Sequence, residues 1–293
     1  MIIGVLGPEG SYSERAAKLW MRNNGLEAAE LRYFEDIEDA FFAAARGKTD
    51  ISVIPIENSI EGSVGVTLDL LREDGAVISG EVVVKIEHCL LSKGSPEAIR
   101  VILSHPQALA QCRHFLKVNF PHAELRSTGS TSHAARLAGE FEEMAAIASP
   151  EAAEKYGLKV LLSNIQDREE NHTRFIVLRA EVSGKCSPSG CKGAGKESDR
   201  IRIQCKTSLI AYLAKDSPGS LYGLLGAFAE RGINLTKIES RPSKRELGDY
   251  YFYIDFEGSA SDALIKDALE DIKAKADILR VLGSYPALGN SEA

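Results

Sequence analysis

Short apolar runs rich in β-branched residues alternate with segments of helical period over roughly the first 180 residues, and no other feature limits the fold as strongly. Strands are predicted at residues 2–6, 31–34, 51–55 and 101–103, near Leu125, and at 145–148 and 173–178. Helices are predicted at 13–21, 36–45, 66–71, 107–118, 132–139 and 151–156, the first with Ser13 as N-cap and Glu14 in its first turn. Residues 77–91 alternate only in part and read as two strands or one bent strand. Strands separated by helices of this length imply βαβ units, hence an α/β class with mostly parallel sheets.

The texture changes between residues 181 and 199. Segments such as Ser183-Gly184-Lys185-Cys186 and Gly193-Ala194-Gly195-Lys196 carry almost no apolar side chains and read as a flexible linker. A second pattern follows. It runs as a strand at 201–214, a helix, strands at 234–239 and 250–256, a helix at 263–273 and a strand at 278–284. The first of these helices is marked by Leu221, Leu224, Leu225 and Phe228 at i, i+3, i+4 and i+7. The order βαββαβ is the ferredoxin-like split motif. With 293 residues the chain has room for two domains.

A net charge of −7 argues against nucleic-acid binding, and a small anion would need a local nest of donors. No apolar run is long enough to span a bilayer, so no membrane association is expected. Met1-Ile2-Ile3-Gly4 has no basic leader and reads as a first strand, which makes the cytoplasm the expected compartment. Cys89, Cys112 and Cys205 sit in apolar periodic segments and read as small buried hydrophobes. Cys186 and Cys191 make a poor zinc pair, and a linker disulfide is not expected in a reducing compartment.

Four polar loops each join a predicted strand to a predicted helix, where the sites of open α/β sheets are built. Gly7-Pro8-Glu9-Gly10-Ser11-Tyr12-Ser13 offers a tight turn and a helix start, without the glycine spacing of a dinucleotide fingerprint. Pro55-Ile56-Glu57-Asn58-Ser59-Ile60-Glu61-Gly62-Ser63 gathers carboxylate, amide and hydroxyls; a polar turn capped by Asn58 or Ser63 would look the same. In Ser104-His105-Pro106-Gln107, His105 reads as an anion contact, a cap or a loop residue. Ser130-Thr131-Ser132-His133 fits either helix capping or carboxylate binding. A fifth segment, Asn171-His172-Thr173-Arg174-Phe175, sets a hydroxyl, a cation and a ring at the mouth of an apolar strand, with Thr173 and Phe175 on one face and Arg174 on the other. Together these loops suit a polar, anionic small molecule; no metal cluster or cofactor motif accompanies them.

Taken in order, the segments resemble the prephenate dehydratase family with a C-terminal ACT regulatory domain. Pro218-Gly219-Ser220-Leu221-Tyr222 and Glu239-Ser240-Arg241-Pro242 carry the resemblance into the second domain, and Thr67-Leu68-Asp69-Leu70-Leu71 and Ala108-Leu109-Ala110-Gln111-Cys112 extend it in the first. The chain departs from the family at Ser11, where threonine is usual, at Ser220 and Tyr222, where small or aliphatic residues are usual, and in its cysteine-bearing linker.

The resemblance implies a catalytic domain over residues 1–180, of periplasmic-binding-protein type. Its first lobe would take about 1–74 and 166–180 and its second about 75–165, followed by the linker and an ACT domain over 200–293. It implies a cofactor-free conversion of prephenate to phenylpyruvate, water and carbon dioxide. Thr173 would be donor to the leaving hydroxyl and Glu57 a rival acid. Ser11, Asn58, Ser59, Ser63, His105, Gln107, Ser130, Thr131, Arg174 and Phe175 would surround substrate, with Arg174 as carboxylate grip or loop brace. It also implies that Gly219, Ser220, Leu221, Glu239, Ser240, Arg241 and Pro242 bind L-phenylalanine between paired ACT domains of a dimer or tetramer. Arogenate dehydratase, the same chemistry on an aminated side chain, and a non-catalytic amino-acid sensor are the alternatives.

Overall fold

A computed structural model describes residues 1–181, 205–213, 218–244 and 249–287. The chain divides into two compact units, one made of residues 1–40, 53–64 and 83–175, the other of 41–52, 65–82 and 176 onward. The linker cysteines Cys186 and Cys191 lie outside the described residues.

The first part of the chain runs β1 (Ile2–Leu6), α1 (Tyr12–Asn23), β2 (Glu30–Phe34), α2 (Ile37–Ala45), β3 (Ile51–Asn58), β4 (Gly62–Ser63), α3 (Gly65–Leu70), β5 (Ala76–Lys85), β6 (Cys89–Ser92) and β7 (Val101–Ser104). It continues through α4 (Pro106–Gln111), α5 (Arg113–Asn119), β8 (Glu124–Ser127), α6 (Thr131–Ala138), β9 (Met144–Ala148), α7 (Pro150–Tyr156), β10 (Lys159–Leu162) and β11 (His172–Ala180). One sheet has the order β2-β1-β3-β11-β5, with β4 beside β3; another has the order β10-β6-β9-β7-β8.

The central strands of the second sheet, β6, β9 and β7, are buried on both faces because helices cover both, while the edge strands β8 and β10 are exposed. Leu90, Ala145 and Ile147 pack with Ala108, Cys112 and Leu116 of the α4–α5 segment. Their strand neighbours Cys89, Leu91, Ala146 and Ala148 pack with Ala134, Ala135, Ala152 and Ala153 of α6 and α7. Period two along each strand divides the two cores, and each fully buried leucine or isoleucine contributes about 1.5–3 kcal/mol.

Several expectations are corrected. The second sheet is mixed: β7 runs parallel to β8 and β9, while β6 is antiparallel to β9 and β10. Strand β6 enters directly from β5 with no helical crossover, so the βαβ rule does not set its direction. The run 77–91 is therefore two strands in different sheets. The N-cap of α1 is Ser11, whose Oγ accepts from Glu14 N at 3.3 Å, and Ser13 is buried inside the helix. The helix expected over 107–118 breaks at Cys112, with φ −111° and ψ 15°. Strands β4 and β10, two and four residues long, are too short to show a period in the sequence. Cys89 and Cys112 are buried free thiols as expected, but Cys205 is half-buried and disulfide-bonded.

The C-terminal part runs β12 (Cys205–Tyr212), α8 (Ser220–Ala229), β13 (Leu235–Pro242), β14 (Tyr250–Glu257), α9 (Ala263–Lys275) and β15 (Ile278–Pro286). The sheet order β13-β14-β12-β15, antiparallel throughout, is the expected ferredoxin-like arrangement. Leu209, Ile254 and Phe256 of the sheet meet Leu224, Phe228, Ile265 and Ile272 of the two helices in its core.

The same unit includes α3 and most of β5. Lys206 Nζ holds both oxygens of buried Glu81 at 2.8 and 2.9 Å. Arg280 Nη1 caps the turn after α3, donating to Glu73 O at 2.7 Å and Arg72 O at 3.2 Å. Gly283 lies so close to β5 that a Cβ on it would stand 2.0 Å from Ile78 O.

Candidate active site

Thr173 is the second residue of β11 and half-buried. Asn58, the last residue of β3, is buried and donates through Nδ2 to Thr173 Oγ1 at 2.9 Å and to Asn171 Oδ1 at 2.8 Å. Its other end is pinned locally, where Oδ1 accepts from Ile60 N at 2.9 Å and Glu61 N at 3.0 Å. Farther along, Asn171 Nδ2 donates to Gln111 Oε1 at 2.9 Å. Thr173, Asn58, Asn171 and Gln111 thus form one hydrogen-bonded row.

The row has a direction. Backbone N–H groups only donate, so Ile60 and Glu61 force the oxygen of Asn58 toward themselves and its Nδ2 toward Thr173 and Asn171. Asn171 must then present its oxygen to Asn58 and its nitrogen to Gln111. Gln111 in turn must present its oxygen to Asn171. Two consequences follow. The Thr173 oxygen is already accepting, so its own proton is left for another partner. Gln111 Nε2 carries two hydrogens and is buried with no partner among the described residues.

Strand alternation assigns the remaining predicted residues. Glu57 and Arg174 precede and follow Asn58 and Thr173, so they project from the opposite face. There Arg174 Nη1 lies 3.6 Å from Glu57 Oε2, with Arg174 only 11% exposed. Phe175 shares the parity of Thr173 and is fully buried. Ser59 ties the two strands together, its N donating to His172 O at 2.8 Å and its Oγ accepting from His172 N at 2.9 Å. Ser63 of β4 sits opposite Glu57 in register.

The other candidates do local work. His105 caps α4 by accepting from Gln107 N at 3.4 Å, and Ser130 caps α6 by accepting from His133 N at 3.0 Å. Thr131 opens α6. Ser11 caps α1 and donates to Leu6 O at 3.2 Å. The loop before it is held down from α6 and α7: Ser132 Oγ donates to Glu9 O, Ser149 Oγ to Gly10 O at 3.2 Å, and Lys155 pairs with Glu9. Gln111 and Asn171 were missed as site residues. Their signal was present: Gln111 lies one helical turn beyond Gln107, and Asn171 is two residues before Thr173, just ahead of β11.

In the ferredoxin-like unit the predicted effector residues part. Gly219 caps α8 with a φ of 91°, Ser220 opens the helix, and Leu221 is 37% exposed. Along β13, Glu239 and Arg241 share one face and Ser240 and Pro242 the other, which is exposed. Arg241 Nη2 reaches Asp69 Oδ1 at 3.3 Å, Lys244 Nζ reaches Asp69 Oδ2 at 2.7 Å, and Glu239 pairs with Lys237 at 3.3 Å. Burial alone would push the Asp69 carboxyl up. The hydrogen bonds from Lys244 and Arg241 outweigh it and hold the carboxyl below the ordinary range.

Comparison with known proteins gives the same reading from the whole sequence. The prephenate dehydratase family model matches residues 3–183, and the ACT domain model matches 207–274. The chain belongs to the prephenate dehydratase family. A prephenate dehydratase of Methanocaldococcus jannaschii is 38% identical, over 95% of this chain and 96% of its own. A solved structure of prephenate dehydratase from Arthrobacter aurescens in complex with L-Phe is 32% identical, with a TM-score of 0.82 over 98% of this chain and 92% of that one. The solved structure of GqqA, described as a novel type of quorum quenching acylase, also superposes with a TM-score of 0.82, at 27% identity. A prephenate dehydratase is a lyase.

Proposed function

We propose that Thr173 donates the hydrogen bond that helps the ring hydroxyl leave when this lyase converts prephenate to phenylpyruvate. In that reaction the electron pair of the ring–carboxylate bond enters the ring as carbon dioxide departs. The carbon–hydroxyl bond breaks, the departing oxygen takes a proton that solvent supplies through the Thr173 hydroxyl and so becomes water, and the ring becomes aromatic. No external oxidant or reductant is needed. The enzyme must stabilise charge growing on one oxygen, and a donor aimed at that oxygen does so.

The observation that carries this reading is the direction of the row. Thr173 accepts from Asn58 at 2.9 Å, which polarises its hydroxyl and leaves its proton unclaimed. Gln111 Nε2, a buried donor with no partner among the described residues, fits a second oxygen of the substrate. Arg174 and Glu57, paired on the opposite face, act as a brace on β3 and β11 and not as the acid. Ser11, Ser59, Ser63, Gln107, Ser130 and Thr131 remain the polar contacts proposed for the two carboxylates, with His105 as a cap and Phe175 as packing behind the strand.

The C-terminal unit is assigned feedback control by L-phenylalanine. The supports are the ACT model match and the L-Phe complex of the Arthrobacter relative. Gly219, Ser220 and Leu221 with the exposed face of Ser240 and Pro242 are the proposed contacts, and Arg241 holds Asp69. We also infer a cytoplasmic homo-oligomer, dimer or tetramer; no described helix is long and apolar enough to cross a membrane. The test is turnover of prephenate and of arogenate, with and without L-phenylalanine. Phenylpyruvate formed from prephenate and suppressed by phenylalanine is expected. Binding of prephenate without product would favour a sensor, and preference for arogenate would move the substrate assignment.

A further inference from the structure

The polar row does not end at Gln111. His88 lies between β5 and β6, is 3% exposed, and places Nε2 at 2.8 Å from Gln111 Oε1. Its backbone N is fixed by Gln166 Oε1 at 2.9 Å, and the Tyr12 ring meets its imidazole edge-on with centroids 6.1 Å apart. Its Nδ1 is buried with no partner among the described residues.

We infer that His88 is a positioning residue: its Nε2–H fixes the amide orientation of Gln111 so that Gln111 Nε2 stays turned, with both hydrogens free, toward the reacting substrate. The direction of the row extends one step further. Asn171 Nδ2 already donates to Gln111 Oε1. That oxygen can therefore face His88 only if the imidazole nitrogen nearest to it also donates. The tautomer is thus Nε2–H with bare Nδ1, set ultimately by the two backbone donors at Ile60 and Glu61. Burial lowers the His88 pKa below the usual histidine range, which keeps the ring neutral and suits one donor and one bare nitrogen. A flipped Gln111 would present an oxygen to a dianionic substrate and lose both donors, so a second, independent donor on Oε1 opposes that flip. The glutamine has one such donor in Asn171 and the other in His88.

This inference rests on the reading that the reaction takes place at Thr173, and the test separates the two. Full-length protein is assayed on prephenate as wild type, His88→Leu, His88→Gln and Gln111→Leu, and as both double variants, with thermal midpoints recorded for each. Gln111→Leu alone is expected to lower turnover about a hundredfold, as for loss of one donor. His88→Leu is expected to lower turnover at least tenfold in the wild-type background and less than twofold in the Gln111→Leu background, because it acts through Gln111. His88→Gln, which keeps a donor near the imidazole Nε2 position, is expected to recover turnover to within about fivefold of wild type. Equal losses from His88→Leu in both backgrounds would make His88 a structural residue and overturn the inference while leaving the site intact. Turnover unaffected by Gln111→Leu would remove Gln111 from the site and overturn the inference, whereas loss of the Thr173 reading shows separately as Thr173→Val retaining turnover. Should His88→Leu fail to fold, His88→Gln and His88→Asn decide: Gln active with Asn inactive supports the donor at Nε2, and the reverse order refutes it.

Discussion

Asn58 is the residue on which the direction of the site turns. It meets two backbone donors on one side and a hydroxyl and an amide oxygen on the other, so its side chain has one workable orientation. Asn58→Asp replaces the donor with an acceptor. Thr173 would then give its proton to residue 58 and have none for the departing hydroxyl. Turnover should fall roughly a hundredfold or more, the scale of a lost transition-state donor, measured where the variant is still folded, since the new carboxylate faces the Asn171 and His172 oxygens and lowers the thermal midpoint. Steady-state kinetics with calorimetry checks this, and a loss under tenfold would mean that Thr173 works without its neighbour. Much of this was legible in the sequence: Thr173, Asn58 and Ser59 stand in the polar segments first singled out. The bonds themselves were not, because Asn58 and Asn171 are 113 positions apart and Asn171 and Gln111 are 60 apart.

At the scale of elements, period and length decided what the sequence revealed. Most helices and most strands of the first part carry their period in the sequence, and so does the βαββαβ order of the C-terminal part. Strands β4 and β10, two and four residues long, carry no readable period. The break at Cys112 has no proline or glycine to announce it. Apolar patterning also could not tell that residues 77–91 feed two different sheets, since both strands are buried on both faces. One element contact gives a direct test. A Cβ at Gly283 of β15 would lie 2.0 Å from the carbonyl oxygen of Ile78 on β5, which is backbone and cannot swing away. Gly283→Ala should therefore separate the strands and destabilise the fold by about 1–3 kcal/mol. Urea unfolding measures it, and an unchanged midpoint would show that the two backbones lie farther apart.

At the scale of the whole molecule, the second unit binds residues from the first third of the chain to its C-terminal sheet, and one carboxylate reports on that union. Asp69 of α3 accepts from Arg241 and Lys244, and its folded-state pKa is depressed. A depressed carboxyl adds stability above its unfolded value of about 4 and loses it as pH falls through the lower folded value. Asp69→Asn should hence be less stable than wild type at neutral pH, with the gap closing below about pH 4 in pH-dependent urea melts. A gap that is constant with pH would remove the charge from the explanation. The central claim, that the Thr173 hydroxyl is the donor for prephenate dehydration, has a more direct measurement. Prephenate turnover is compared for wild type, Thr173→Ser and Thr173→Val at equal fold stability. Thr173→Ser is expected to stay within about tenfold and Thr173→Val, nearly the same shape without the hydroxyl, to lose roughly 10²–10³-fold. Thr173→Val turning over prephenate within tenfold of wild type would contradict it.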